Sequence, residues 1–527
     1  MDKPRRHKER INTPPLIMAD PSRKDSFQRI YWLLVPFFCI SLGYYLWAVS
    51  AGWNNTITDS HAFRQTQTAI TTYYMVKQPF KLAYETPVLG PPWSIPMEFP
   101  LYQWIVATLV KTFGFALDQT GRFVSACFYL LTLIPVYFLL GTLRVRPIHR
   151  LAVLSLLLVS PFYIFWSRTF MIETCGLFLS TAYLACTLRW LEKRNLKWLL
   201  VLSVFCGTLG ALVKITTFLP FALLAGLFVI RDYLSFPLRM PNAKKLFISV
   251  ITASIIVGIP FLTAIAWAKY ADSLKEMNAL GRFLTSKSLD AWNFGTFEQK
   301  TSAQVWWTII ERIPELFSTR MVFWVFACLA IPALLATYHR RWKQTFACCL
   351  LFFLAPAIMT NLHFVHNYYM VANGAFLIMA VGLLLIAILE RPKSAIFGIV
   401  LFGIVISGGI IGNQTTFLPV QRKNANNFMP LAIQIRDKTP PDAVNIYVGF
   451  DWDPMIPYYS ERRSLMIPEW AALNLGVQDV RNALLSVKNE RIGSVFISRP
   501  SRWSKDIIMD LMKEVGLHPG QVYLFNP

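Results

Sequence analysis

Residues 99–117 read FPLYQWIVATLVKTFGFAL, and whether they cross a membrane decides the topology of the whole chain. The stretch is apolar, but it carries Lys111 and is short for a hydrocarbon layer that takes about 20 residues to span. If it crosses, the basic loop RVRPIHR at 144–150 falls outside and every later basic loop is inverted. If it lies in the interface as an amphipathic helix, the loops RVRPIHR, RWLEKRNLK, RDYLSFPLRMPNAKK, HRRWK and ERPK all face the cytosol. Positive charge favours that side, so the interfacial reading is adopted.

Eleven spans follow, near 30–50, 123–143, 151–167, 172–188, 198–213, 215–230, 246–268, 321–338, 344–360, 368–389 and 394–411. The predicted fold is a polytopic α-helical membrane protein. Residues 1–29 form a basic cytosolic tail, and the first span is retained because no small-residue cleavage site follows it. Residues 30–411 form the transmembrane module. Its larger outer segments are the first loop, 51–122, with interfacial helices, and a second loop, 269–320. Short turns at 167–171, at Lys214 and at 361–367 also face outward. Beyond Gly412 the pattern changes. NIYVGF and RIGSVFIS read as buried strands, and KDIIMDLMKEVG reads as an amphipathic helix closed by Gly516. Residues 412–527 are therefore expected to form a small extracytoplasmic α/β domain.

Composition agrees with this reading. The 527 residues are 55% hydrophobic and 15% charged, well below the roughly 25% charged of a soluble domain. The net charge of +22 lies in clusters flanking the apolar runs, so it points to membrane lipids and not to nucleic acid. All eight cysteines fall in predicted spans without a CxxC pair, which argues against disulfides and a zinc site.

Charges at membrane depth are costly, which directs attention to those at the outer span ends. Asp59 or Ser60 is the expected N-cap of a helix whose His61, Arg64, Gln65 and Thr68 form a polar stripe. Such a helix presents a carboxylate and a cation to a lipid headgroup, or is an ordinary capped interfacial helix. Lys214 interrupts two apolar runs and either snorkels to water or binds a phosphate. Glu173 either pairs with Arg168 or faces the bundle as a functional carboxylate, and Glu98 opens the 99–117 helix. His363 and His366 line the last outer turn, as part of a polar, aromatic wall or as metal ligands.

In chain order, the sequence holds an acid after span 1, an E-x-P-L-aromatic box (Glu98 to Tyr102) and an S-R-x-x-x-I-E segment (Ser167 to Glu173). A glycine-rich span ending L-V-K (Lys214) and an H-N-Y-Y box (His366 to Tyr369) follow. From about residue 30 to 390 this order resembles the integral-membrane glycosyltransferases of the C-type fold, specifically the protein O-mannosyltransferase and lipid A aminoarabinose transferase group. The resemblance implies transfer of a sugar from a polyprenyl-phosphate donor to a lipid, glycan or protein acceptor on the outer face. It makes Asp59 the catalytic base and Lys214 the contact to the carrier phosphate. It matches Glu173 and Glu98 to acidic positions of the group. Glu173 is then expected as a second catalytic carboxylate, Arg64, by its charge, beside Lys214 at the donor phosphate, and His61, Glu98, Tyr102, Arg168, His366, Tyr368 and Tyr369 as substrate-binding residues. The group often carries two adjacent acids where this chain has Asp59-Ser60, and its arginine stands at a different offset from Arg64.

The residues suit the chemistry. A phosphate leaving group needs no general acid, and a single carboxylate base points to inversion. No cofactor is required; a divalent metal on Glu98, His363 and His366 is a lesser alternative. A C-terminus without a retention signal favours a bacterial inner membrane. Two rivals stand: a transporter or flippase of lipid-linked sugars, and a non-catalytic membrane subunit. The second would present Asp451, Asp453, Tyr458, Tyr459, Arg462 and Arg463 to a partner, although the same residues could cap a transferase cavity.

Overall fold

The computed structural model describes residues 31–233, 243–320, 324, 341–424, 426–469, 477–498, 504–518 and 521–525. The expected cytosolic tail, the span at 321–338 and most of the RDYLSFPLRMPNAKK loop lie outside them. Among the described residues, five helical stretches are long and apolar enough to cross a membrane: Leu117–Thr142, Lys197–Asp232, Val250–Glu276, Asn367–Leu389 and Ala395–Arg422. Shorter apolar helices run over Leu34–Ser50, Pro147–Val159 and Trp342–Ile358.

The Lys197–Tyr233 helix is not one straight rod. Lys214 has extended backbone angles, φ −158° and ψ 89°, and the chain doubles back there. The neighbouring Glu173–Glu192 helix records the reversal. Thr187 meets Ser203 of the first arm at 2.6 Å, and Glu173 meets Lys214 at the bend. Arg194, just before the first arm begins, pairs with Asp232 at the end of the second. Both arms therefore lie side by side along the same helix, as expected of two segments joined at Lys214. The segment expected at 151–167 is instead broken, into Pro147–Val159 and Pro161–Trp166, because Ser160 is extended ahead of Pro161.

The 99–117 segment contains a helix over Leu101–Phe113, ended by Gly114 in the left-handed region at φ 68°. Its 13 residues rise about 20 Å, well short of a bilayer core. It packs on the Leu117–Thr142 helix, where the Tyr102 hydroxyl donates to the Gly121 carbonyl at 2.7 Å. The preceding helix, Ala62–Lys77, is capped by His61 in a left-handed conformation with no side-chain capping bond. The expected cap at Asp59 or Ser60 is thus displaced, because the Asp59 carboxylate is engaged elsewhere.

The C-terminal residues form a four-stranded parallel sheet in the order β2-β1-β3-β4, with β1 Val444–Val448, β2 Arg463–Ile467, β3 Ile492–Ser498 and β4 Gln521–Phe525. Helices Met455–Ser460, Val477–Ser486 and Lys505–Glu514 lie in the crossovers that parallel pairing requires. β1 is buried along its whole length, as its run VNIYV suggests. The β2 edge is covered by the first loop: Gly90 N–H donates to the Ser464 carbonyl, Ser464 N–H to Pro87, and Met466 N–H to Val88 at 2.9 Å. One apolar core joins the two regions, containing Ile57, Val88 and Leu89 from the loop and Ile446, Val448 and Leu465 from the sheet.

Close helix contact fixes the mouth of this assembly. A Cβ at Gly121 would lie 2.5 Å from the buried Phe170 ring, whereas one at Gly43 would meet nothing within 4 Å. Gly121→Ala is expected to destabilise by about 1–3 kcal/mol, and Gly43→Ala to be neutral or slightly stabilising. Thermal unfolding in detergent distinguishes them; equal melting temperatures would contradict this packing.

Candidate functional site

Lys214 sits at the bend because three things converge there. The backbone leaves the helix, Gly176 leaves room, and Glu173 supplies a partner. A side chain at Gly176 would put its Cβ 3.1 Å from that of Lys214. Glu173 opens its helix, and its Oε1 accepts from Lys214 Nζ at 2.5 Å. The two side chains are 5% and 3% exposed, so this is a buried ion pair. Glu173 Oε2 is buried and has no hydrogen-bond partner among the described residues. The partner that the sequence suggested for Glu173, Arg168, is taken by Asp59.

Asp59 is held from two sides. Its Oδ2 accepts from Arg168 Nη1 at 3.0 Å, and its Oδ1 accepts from Gln65 Nε2 at 2.7 Å and from Ser60 N–H. Arg168 also donates to the Val49 and Gly52 carbonyls, so it ties the end of the first apolar helix to Asp59. Among the described residues, Oδ2 takes one hydrogen bond, that from Arg168.

Around Lys214 the expected residues gather. Its ammonium lies 4.8 Å from the Tyr369 ring centre and 5.6 Å from that of Tyr368, and the two rings stack at 4.7 Å. Arg64 pairs with Glu98 and donates to Gln67 at 2.6 Å. Burial pushes the Glu98 carboxyl up, but Arg64 and Lys214 outweigh it and hold the group below the ordinary carboxylate range. His61 lies within 5.4 Å, ring centre to ring centre, of Trp166, His366 and Tyr368.

The histidines are kept neutral. Burial, reinforced by His61, Lys214, Arg64 and Arg312, pushes His366 down to about 4. Burial and Arg312 push His363 down to about 3. His61 is lowered by burial as well, and its Nε2 meets Asn367 Oδ1 at 3.2 Å. Asn367 in turn donates Nδ2 to Glu315 at 3.3 Å. Because a carboxylate only accepts, Glu315 orients the amide so that Oδ1 faces His61, which then carries its proton on Nε2.

Two expectations are not met in this arrangement. Tyr102 is fully buried, and its hydroxyl is committed to Gly121 and to Ser125 at 2.9 Å; it backs the site without offering it a hydrogen bond. Glu98, His363 and His366 do not converge on a metal site, and no group of three or more metal-ligating side chains occurs among the described residues. The alternative of a metal on these three is therefore not supported. Sequence reading missed Gly176, Trp166, Glu315 and Asn367. For Gly176 a signal existed, since small residues mark close helix approach in membranes.

Glu173→Ala leaves a buried ammonium without its partner and should destabilise by about 3–5 kcal/mol. Adding Lys214→Met should recover most of that loss, as read by thermal unfolding of the single and double variants. A double variant as unstable as the single one would refute the pairing.

Residues 94–267, about a third of the chain, match the model of the dolichyl-phosphate-mannose-protein mannosyltransferase family. That segment contains Glu98, Arg168, Glu173 and Lys214. No curated protein matches the chain by sequence. Among solved structures, ArnT from Cupriavidus metallidurans bound to undecaprenyl phosphate is similar at a TM-score of 0.56 and 13% identity, over 88% of this chain and 89% of that one. The same protein in the apo state is similar at 0.53 and 13% identity, over 87% and 89%. The chain is thus a membrane protein with the ArnT fold, a C-type glycosyltransferase fold, and its residues 94–267 match the dolichyl-phosphate-mannose-protein mannosyltransferase family.

Proposed function

We propose that the chain transfers a sugar from a polyprenyl-phosphate donor to an acceptor on the extracytoplasmic face of a membrane. The observation that carries the reading is the buried Lys214–Glu173 pair at the helix reversal, beside Arg64 and the stacked Tyr368 and Tyr369. A compact ammonium and a guanidinium suit a lipid phosphate, and aromatic faces beside them suit a sugar ring. The match of residues 94–267 supports a sugar-phosphate donor, and the similar ArnT structure holds undecaprenyl phosphate.

In the proposed reaction the acceptor oxygen attacks the anomeric carbon as the bond from that carbon to the phosphate oxygen breaks. Lys214 and Arg64 stabilise the phosphate that departs on its lipid. Asp59, paired with Arg168 and oriented by Gln65, takes the acceptor's proton. Glu173 orients Lys214 and offers its free Oε2 to a sugar hydroxyl. His61, His366, Tyr368 and Tyr369 line the sugar. One base with attack opposite the leaving group gives inversion. The accompanying topology has eleven spans, a cytosolic N-terminus, and the first loop and the sheet outside, in a bacterial inner membrane. No step calls for a metal.

The test is transfer of labelled sugar from a panel of polyprenyl-phosphate sugars in proteoliposomes. Wild type should release lipid phosphate, and Asp59→Asn should lose about 10²–10⁴-fold in rate. Lys214→Ala should lose donor binding as well as turnover. Labelled lipid crossing the bilayer intact, with no sugar released, would replace this reading with a transporter.

A further inference from the structure

We infer that Tyr459, from the helix Met455–Ser460 of the C-terminal sheet region, is a positioning residue for Asp59. The sheet region would then complete the site rather than merely cover it. The inference rests on the reading of Asp59 as the base. Residues 52–59 form an irregular loop between the first apolar helix and the Ala62–Lys77 helix, so its main chain depends on outside partners for definition.

Asn424 accepts from the Thr56 N–H at 3.4 Å, and three further groups act on the loop. Arg168 holds the Gly52 carbonyl and the Asp59 carboxylate. Arg122, buried in the Leu117–Thr142 helix, donates to the carbonyls of Trp53, Asn55 and Thr56 at 2.7, 2.6 and 3.0 Å. These two set the loop as far as residue 56. The next anchor is the Ile57 N–H, which donates to the Tyr459 hydroxyl oxygen at 2.9 Å, two residues before Asp59.

The direction of that bond is imposed by a third element. Asp118, one turn before Arg122, receives the hydroxyl protons of both Tyr458 and Tyr459, the latter at 2.9 Å. A carboxylate only accepts, so the Tyr459 proton points to Asp118 and an oxygen lone pair is left for Ile57 N–H. Tyr458 shares the same carboxylate but, among the described residues, its hydroxyl makes no hydrogen bond to the loop. The two adjacent tyrosines therefore separate docking of the sheet region from positioning of Asp59. Each loses one hydrogen bond to Asp118 on substitution by phenylalanine, and Tyr459 alone also releases the loop.

The experiment compares Tyr459→Phe with Tyr458→Phe in the full-length protein in proteoliposomes. Two readouts are followed, steady-state sugar transfer and hydrogen exchange of the peptide covering residues 52–60. Displacement of a reacting group by a fraction of an ångström to about 1 Å costs on the order of 10–100-fold in rate. Tyr459→Phe should lower kcat by about that factor with donor KM nearly unchanged, and should speed exchange across 52–60. Tyr458→Phe should leave kcat and exchange near wild type. Asp118→Asn, which keeps both tyrosines but frees the orientation of Tyr459, should follow Tyr459→Phe and serves if that variant does not fold. Equal kcat and equal exchange in the two tyrosine variants would overturn the inference. Asp59→Asn is run alongside. If it keeps wild-type turnover, the base reading has failed, while the exchange data still judge whether Tyr459 positions the loop.

Discussion

The cost of burying charge is the constraint on which this structure turns. A buried ammonium must be paired, hydrated or neutralised, and Lys214 is paired. Its partner, Glu173, opens the helix that both arms of the 197–233 segment follow. The same position breaks the helix, since one extended residue lets the chain reverse. Non-helical backbone within a helix bundle needs protein groups around it. Here Gly176, Tyr368 and Tyr369 provide them. Reversal, ion pair and aromatic wall are therefore one feature, and Arg64 with Glu98 repeats the logic on the first loop.

A second constraint links the loop to the C-terminal sheet. An exposed β2 edge would leave backbone groups unpaired, and the 87–90 segment supplies them. The apolar residues beneath it belong to a core shared by both regions. The loop that bears Asp59 and the sheet beyond residue 443 are thus parts of one packed body. Tyr459 bonds to both the loop, at the Ile57 N–H, and Asp118.

Much of this was legible in the sequence, and the misses have physical causes. The apolar runs, the break at Lys214, the short 101–113 helix and the strands β1 and β3 follow from hydropathy and composition. β4 escaped because QVYLF stands at the end of the chain among turn residues, whereas the stretch around β2 was read either as a contact surface or as a strand and loop capping a cavity. The choice of ion-pair partners is a tertiary matter. Glu173 stands beside Arg168 in sequence, yet it pairs with a lysine 41 positions away, while Arg168 reaches back 109 positions to Asp59. Local spacing carries no record of that exchange. The cap misplaced at Asp59 has the same origin, since an acid claimed by Arg168 is not free to cap a helix.

The central claim is that the paired charges around Lys214 and Arg64 form a site for a lipid phosphate. It is tested most directly by equilibrium binding of radiolabelled polyprenyl phosphate to the detergent-solubilised protein. The account predicts saturable binding of one lipid per chain, lost in Lys214→Met and weakened in Arg64→Met, but retained in Lys300→Met on the second loop. Binding that is unchanged in the first two variants, or lost equally in all three, would contradict it.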